Sequence, residues 1–245
     1  MLLVMMLLCA APLSAQTFDA ASVKPSAPDN PNGSTFDYRN GGTLRVVNST
    51  LHGLIESAYD VRDFQIAGGP AWVKTDRFDV TARSASGDTA AARADDMKLS
   101  RVKLQALLAE RFHLIIHRET RERQEYALTA GKGGARLVDV SQTPPKPTAG
   151  IQSAAGQLTA TQSTMANLVY VLSRRLREPV VDRTGLNGRY DFELTWTEVG
   201  TAGDAAADAP SIFTALQEQL GLKLDSVRGP VETLVVDRAE RPSAD

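Results

Sequence analysis

Residues 180–197 read VVDRTGLNGRYDFELTWT, an apolar run, a glycine-bearing turn and a strictly alternating segment set one after another. From Arg189 onward, Tyr190, Phe192, Leu194 and Trp196 fall on one side of an extended chain, and Arg189, Asp191, Glu193 and Thr195 on the other. A period of two predicts a half-buried strand in a sheet with one wet face. Gly185 and Gly188 are expected to supply positive φ in the turn before it, with Asp182 and Arg183 stabilising that turn locally. A phosphate loop would need a lysine, a serine and a strand-to-helix context that this stretch lacks.

The pattern upstream of this strand occurs twice. Residues 157–172, QLTATQSTMANLVYVL, lie on residues 43–58, TLRVVNSTLHGLIESA, at an offset of 114: Leu158 falls on Leu44, Ser163-Thr164 on Ser49-Thr50, Met165 on Leu51 and Leu168 on Leu54. Arg189-Tyr190-Asp191-Phe192 falls on Arg77-Phe78-Asp79-Val80 at an offset of 112. In both copies a strand runs into a Ser-Thr helix cap, and Leu51, Leu54, Ile55 and Ala58 show helical spacing, with Gly53 weakening that helix by about 1 kcal/mol. The strand RFDVTAR and a Leu-rich helix over 100–111 follow in the first copy; a helix over 211–220, led in by Pro210, answers it in the second. The segments FHLIIHRE and EYALTA are expected as two arms of a hairpin, answered by LKLD and TLVVD. The fold class expected is therefore α+β, with two homologous halves, each a small mixed or antiparallel sheet with two helices packed on one face.

Boundaries follow from composition. Residues 1–15 form an apolar run with small residues and Pro12, which reads as a secretory signal peptide cleaved after Ala15 and too short to span a bilayer. Cys9, the one cysteine, leaves with it, so an oxidising compartment adds no disulfide to the mature chain. Residues 16–138 are expected as the first half, 139–156, with three prolines, as an inter-domain linker, and 157–245 as the second half. A chain of 245 residues with 42% hydrophobic and 23% charged residues is an ordinary globular composition. Its formal net charge of −2 gives no long-range attraction to nucleic acid or to an anionic membrane.

The stretches FDAASVKPS (18–26), YDVRDFQIAGGPAWVKTDRFDVTA (59–82), LQALLAERFHLIIHRET (104–120), EPVVDRTGLNGRYDFELTW (178–196) and LQEQLGLKLDSVRGPVETLVVDRAERPS (216–243) cover nearly the whole mature chain. On these motifs the chain resembles the acidobacterial secreted proteins of domain-of-unknown-function family 3738. The family brings no catalytic residues to carry over. Some relatives join such a domain to a membrane metallopeptidase of the antibiotic-sensor type, and the resemblance implies an envelope sensing or binding role; this chain has no HExxH motif.

Few residues suggest chemistry. His113 and His117 share one face of a strand, with Glu119 the nearest further ligand on it, but their Cα atoms would be about 13 Å apart at strand rise. No metal site is therefore expected. His52 is expected at a surface or edge, and Asp79, Asp191 and Glu193 on wet strand faces, solvated. In GGPAW, Trp72 is the residue singled out for ligand contact; the competing expectation is a loop that packs its tryptophan on a core. The expected function is an exported binding or interaction module, periplasmic or extracellular, with no cofactor, no nucleic-acid partner and no membrane span in the mature chain, acting on an envelope or extracellular ligand or protein. The alternative is an envelope hydrolase with its site in a cleft between the halves.

Overall fold

The computed structural model describes residues 17–27, 33–39, 42–84, 93–197 and 210–243. The signal peptide expected over 1–15 lies outside them. The fold is α+β, with four α-helices and three four-stranded sheets among the described residues. Two compact units divide the chain: 1–119 with 233–245, and 120–232.

In the first unit, β1 (Ala20–Pro25), β2 (Thr35–Arg39), β3 (Thr43–Thr50) and β5 (Arg77–Arg83) form an antiparallel sheet in the order β1-β5-β3-β2. Between β3 and β5 run α1 (Leu51–Tyr59) and the short β4 (Ile66–Gly68). Thr50 caps α1, its Oγ1 accepting from the Gly53 N–H at 3.1 Å, and Asp60 ends the helix at φ 53°. Helix α2 (Arg93–Arg111) packs on α1. It starts earlier than the expected 100–111, and ends at Arg111 as expected, because helical propensity continues through RADDMKL, where no glycine or proline intervenes.

In the second unit, β7 (Val138–Asp139), β8 (Gly150–Ala154), β9 (Gln157–Ser163) and β11 (Tyr190–Thr195) form an antiparallel sheet in the order β7-β11-β9-β8. The alternation read from sequence holds: Tyr190, Phe192, Leu194 and Trp196 are all buried. Helix α3 (Met165–Leu176) is capped by Thr164 and closed by Arg177 at φ 54°; β10 (Val180–Asp182) and α4 (Ile212–Leu220) follow. The stretch 139–156, expected as a linker, carries β8 and the end of β7. Its prolines occupy the loop between them, held by Arg189, whose Nη2 donates to the Ser141 and Thr143 carbonyls at 2.7 and 2.9 Å.

The hairpins expected at 112–130 and 222–237 are instead single strands, β6 (Ile115–Ala130) and β12 (Leu222–Arg238). Nothing in RETRERQ can turn the chain, since it holds no glycine, proline or asparagine. In β12 the Gly229-Pro230 pair does not turn either. Gly229 lies beneath the buried Glu125 carboxyl, where any Cβ would collide with Oε1, so glycine serves a close approach. The unit boundary falls within each of these strands. Leu234 and Val236 at the end of β12 belong to the first core, with β12 parallel to β4; Leu128 in β6 belongs to the second, with β6 parallel to β10.

Each antiparallel sheet carries one bulge, and an aspartate holds it. Asn48 sits at φ 58° and donates its N–H to Asp79 Oδ1 at 2.8 Å; Gln162 sits at φ 45° and donates to Asp191 Oδ1 at 2.6 Å. Left-handed backbone breaks the ladder and orphans an N–H, which the carboxylate satisfies. The expectation that these aspartates are merely solvated is corrected by this: each is partly buried and bonded to backbone. Replacing Asp79 or Asp191 by alanine should cost about 1.5–3 kcal/mol, the range for a hydrogen bond to a charged group. Urea melts of the two variants check it, and a midpoint unchanged in both would show that the bulges hold themselves.

Candidate functional site

The polar groups of the first unit are mostly satisfied in pairs. His113 and His117 are both exposed, but they do not share a strand face as expected: His117 lies in β6, whereas His113 precedes it at φ 46°, and each meets a carboxylate from the end of the chain. His117 Nδ1 lies 2.9 Å from both Asp237 oxygens and its Nε2 3.8 Å from Glu119, while His113 Nδ1 lies 3.6 Å from Glu240 Oε2. The hydrogen bond to Asp237 raises the His117 pKa above its ordinary value. Among the described residues no three His, Cys, Asp or Glu side chains converge as a metal would need.

His52 is not at a surface: it is 6% exposed, on the buried face of α1. Its Nε2 lies 3.5 Å from Asp63 Oδ1, yet makes no hydrogen bond, so the carboxylate is near but misaligned. Burial, and secondarily the Lys74 charge, push its pKa below 6.5, outweighing Asp63. A lowered folded pKa means that stability present above about 6.5 is lost as pH falls through the folded value. His117 has the opposite sign: its stabilisation is present below its ordinary value and lost as pH rises through the raised one. The melting temperature should therefore fall as pH drops below about 6.5, and His52→Gln should flatten that fall; equal slopes in the two proteins would overturn the assignment.

Trp72 is half-buried against the first core. Its ring stacks on Phe112 at 6.5 Å and meets the edge of Phe78 at 6.3 Å, and the Arg241 guanidinium lies over it at 5.2 Å. These contacts are those of a packing residue.

In the second unit, Gly185 takes φ 72° as expected. Gly188 does not take positive φ; it is required because a Cβ there would lie 2.7 Å from Ser141 Oγ and Tyr190 Oη. Glu125, 3% exposed, is the buried carboxylate that sequence reasoning missed, and Arg183 Nη2 approaches it at 3.5 Å. A wet, charge-rich strand gives no sign that one of its acids turns inward.

The concave feature with charges of one sign is also in the second unit. A cavity of about 470 Å³ opens between the turn at 131–134, which follows β6, and the end of α4 with the start of β12. The turn is closed by the Gly134 N–H on the Gly131 carbonyl at 2.9 Å and tied to the helix end by the Gly131 N–H on the Gly221 carbonyl at 2.8 Å. Gly221 caps α4 at φ 65°, and a Cβ there would strike the Gly134 carbonyl. Arg136 completes the cap: its N–H donates to the Leu220 carbonyl at 2.8 Å and its Nη1 to the Glu218 carbonyl at 2.7 Å, satisfying last-turn acceptors and opposing the helix dipole. Lys223 pairs with Asp225 at 2.5 Å. Lys132, at the exposed tip of the turn, has no ion pair or side-chain hydrogen bond among the described residues. The cleft thus presents three cations against one carboxylate. The signal in the sequence was AGKGGAR, a lysine bracketed by glycines directly after a strand, which alternation and helical spacing both pass over.

A family model described as "Protein of unknown function (DUF3738)" matches residues 52–239. The chain belongs to this family. The DUF3738 match spans both units and every α-helix except the first residue of α1, and its description names no activity. No curated protein and no solved structure matches the chain.

Proposed function

We propose that this DUF3738 protein is an exported binding module of the cell envelope or extracellular space, with its ligand site in the glycine-rich cleft of the second unit. The observation that carries this is the cleft itself: about 470 Å³, within the usual range of small-molecule sites, with an unpaired lysine at its mouth. Cations on a glycine rim can hold and orient a ligand through charge-assisted hydrogen bonds. A thermal-shift screen of the mature chain against cell-wall fragments, peptides and metals tests it, since a ligand that prefers the folded state raises its apparent stability. Hits that leave the residues of the cleft unperturbed in an amide spectrum place the site elsewhere and overturn the assignment.

Export rests on the apolar run of residues 1–11 followed by Pro12, Ser14 and Ala15. Protein recovered from its native host should begin near Gln16, and an intact Met1 is the contrary result. Among the described residues no helix is long and apolar enough to cross a membrane.

The two halves are proposed to be homologous. In support, β1-β5-β3-β2 and β7-β11-β9-β8 have one strand order; Thr50 and Thr164 both cap helices; Asn48 and Gln162 take the same left-handed backbone beneath an aspartate; and His113 and Gly221 both follow the Leu-rich helices at φ 46° and 65°. Leu51 and Met165, Phe78 and Tyr190, and Leu107 and Leu216 are all buried. A crystal structure of a family member in which only one of the two bulges exists would count against duplication.

A further inference from the structure

We infer that the cleft recognises an anionic group, a carboxylate or a phosphate, and that Lys132 is the residue that captures it. This rests on the cleft being the ligand site and adds the chemistry of the ligand. The three cations there are not equivalent. Arg136 is committed to the carbonyls of α4 and Lys223 to Asp225. Lys132 is not committed, and it stands on a turn whose glycines leave the backbone approachable: at Gly133 and Gly134 a Cβ would meet nothing within 4 Å, so neither is there to avoid a clash. Gly134 takes φ 77°, which supplies the left-handed step that lets successive backbone N–H groups converge in an anion-binding concavity. The Gly131 and Gly134 N–H groups close the turn, while those of Lys132 and Gly133 have no backbone acceptor among the described residues. A lysine ammonium on the same turn as two amides without a backbone acceptor is a donor set that suits oxygen anions. Lys223 on the other wall adds a second positive charge once an incoming anion competes for it with Asp225.

The source of the anion, a carboxylate-ended peptide or sugar acid against a phosphate ester, is separated by the probes. The full mature chain, isotopically labelled, is titrated with acetate, with inorganic phosphate and with neutral acetamide at constant ionic strength, following the Lys132, Gly133 and Gly134 amides. A saturable shift with acetate or phosphate but not acetamide is expected, and the stronger of the two names the class. Lys132→Gln should weaken that binding about tenfold, equivalent to about 1.4 kcal/mol, with unchanged melting temperature. Arg136→Gln should instead lower the melting temperature through the helix end. Absence of a saturable shift with either anion overturns the inference, and so does a Lys132→Gln protein that binds as the wild type does. If neutral hits from the screen still move these same amides, the cleft remains the binding site and only its anion preference fails; if all hits move other residues, both fail.

Discussion

A chain ending at Glu232 should lose the fold of its first unit although it keeps every residue of 1–119. The deleted segment supplies Leu234 and Val236, 1% and 3% exposed, to the first core, and its strand pairs with β4 in parallel register, Leu234 opposite Ile66 and Val236 opposite Gly68. It also donates the Glu240 N–H to the Phe112 carbonyl at 2.7 Å and places Arg241 Nε 2.8 Å from Asp76. Truncating one buried leucine costs about 2–5 kcal/mol, and removing the strand adds a second core side chain and a ladder. Against a typical total of about 5–15 kcal/mol, that is enough to unfold the unit. Hydrogen exchange followed by mass spectrometry should show α1 and β3 unprotected and α3 and β9 still protected. Native protection in α1 would show that the first core closes without the end of β12.

The same exchange of strands explains where the sequence could be read and where it could not. Period and caps are local, so β11, β5, α1 and α3 were legible from Tyr190 to Trp196, Phe78 to Ala82, and the two threonine caps. The long strands were not. Residues 115–124 are wet over most of their length, so β6 lacks the alternation by which a half-buried strand is recognised, and in β12 Gly229-Pro230 imitates a turn while making room for Glu125. Parallel pairing of β4 with β12 and β10 with β6 joins segments far apart in sequence, and no local pattern encodes it. At the candidate site, glycines and lysines carry no periodicity. Their meaning came from the third dimension, where 131–134 meets the left-handed cap at Gly221.

Phe112→Ala should be the most damaging single substitution in the first unit, at about 3–5 kcal/mol. The side chain is fully buried, unlike that of Trp72, and its ring lies 5.1 Å from Phe78 at 86° and 6.5 Å from Trp72 at 19° in a cluster of three mutually contacting rings. Such ring pairs contribute about 0.5–1.5 kcal/mol beyond the area they bury. Phe112 also sits at the end of α2, its N–H on the Leu108 carbonyl at 3.1 Å just before His113 turns left-handed, so collapse of the ring site reaches the helix terminus as well. Phe112→Leu keeps a branched apolar side chain and should cost less; Trp72→Ala, at a half-buried position, should also cost less. Because the chain has two tryptophans, the Trp72 and Trp196 emission reports on one unit each. Trp72→Ala removes the reporter of the first unit, so urea melts of the three variants followed by hydrogen exchange of the α1 amides give the ranking. A larger loss for Trp72→Ala than for Phe112→Ala would mean that the tryptophan, not the phenylalanine, is the centre of the cluster.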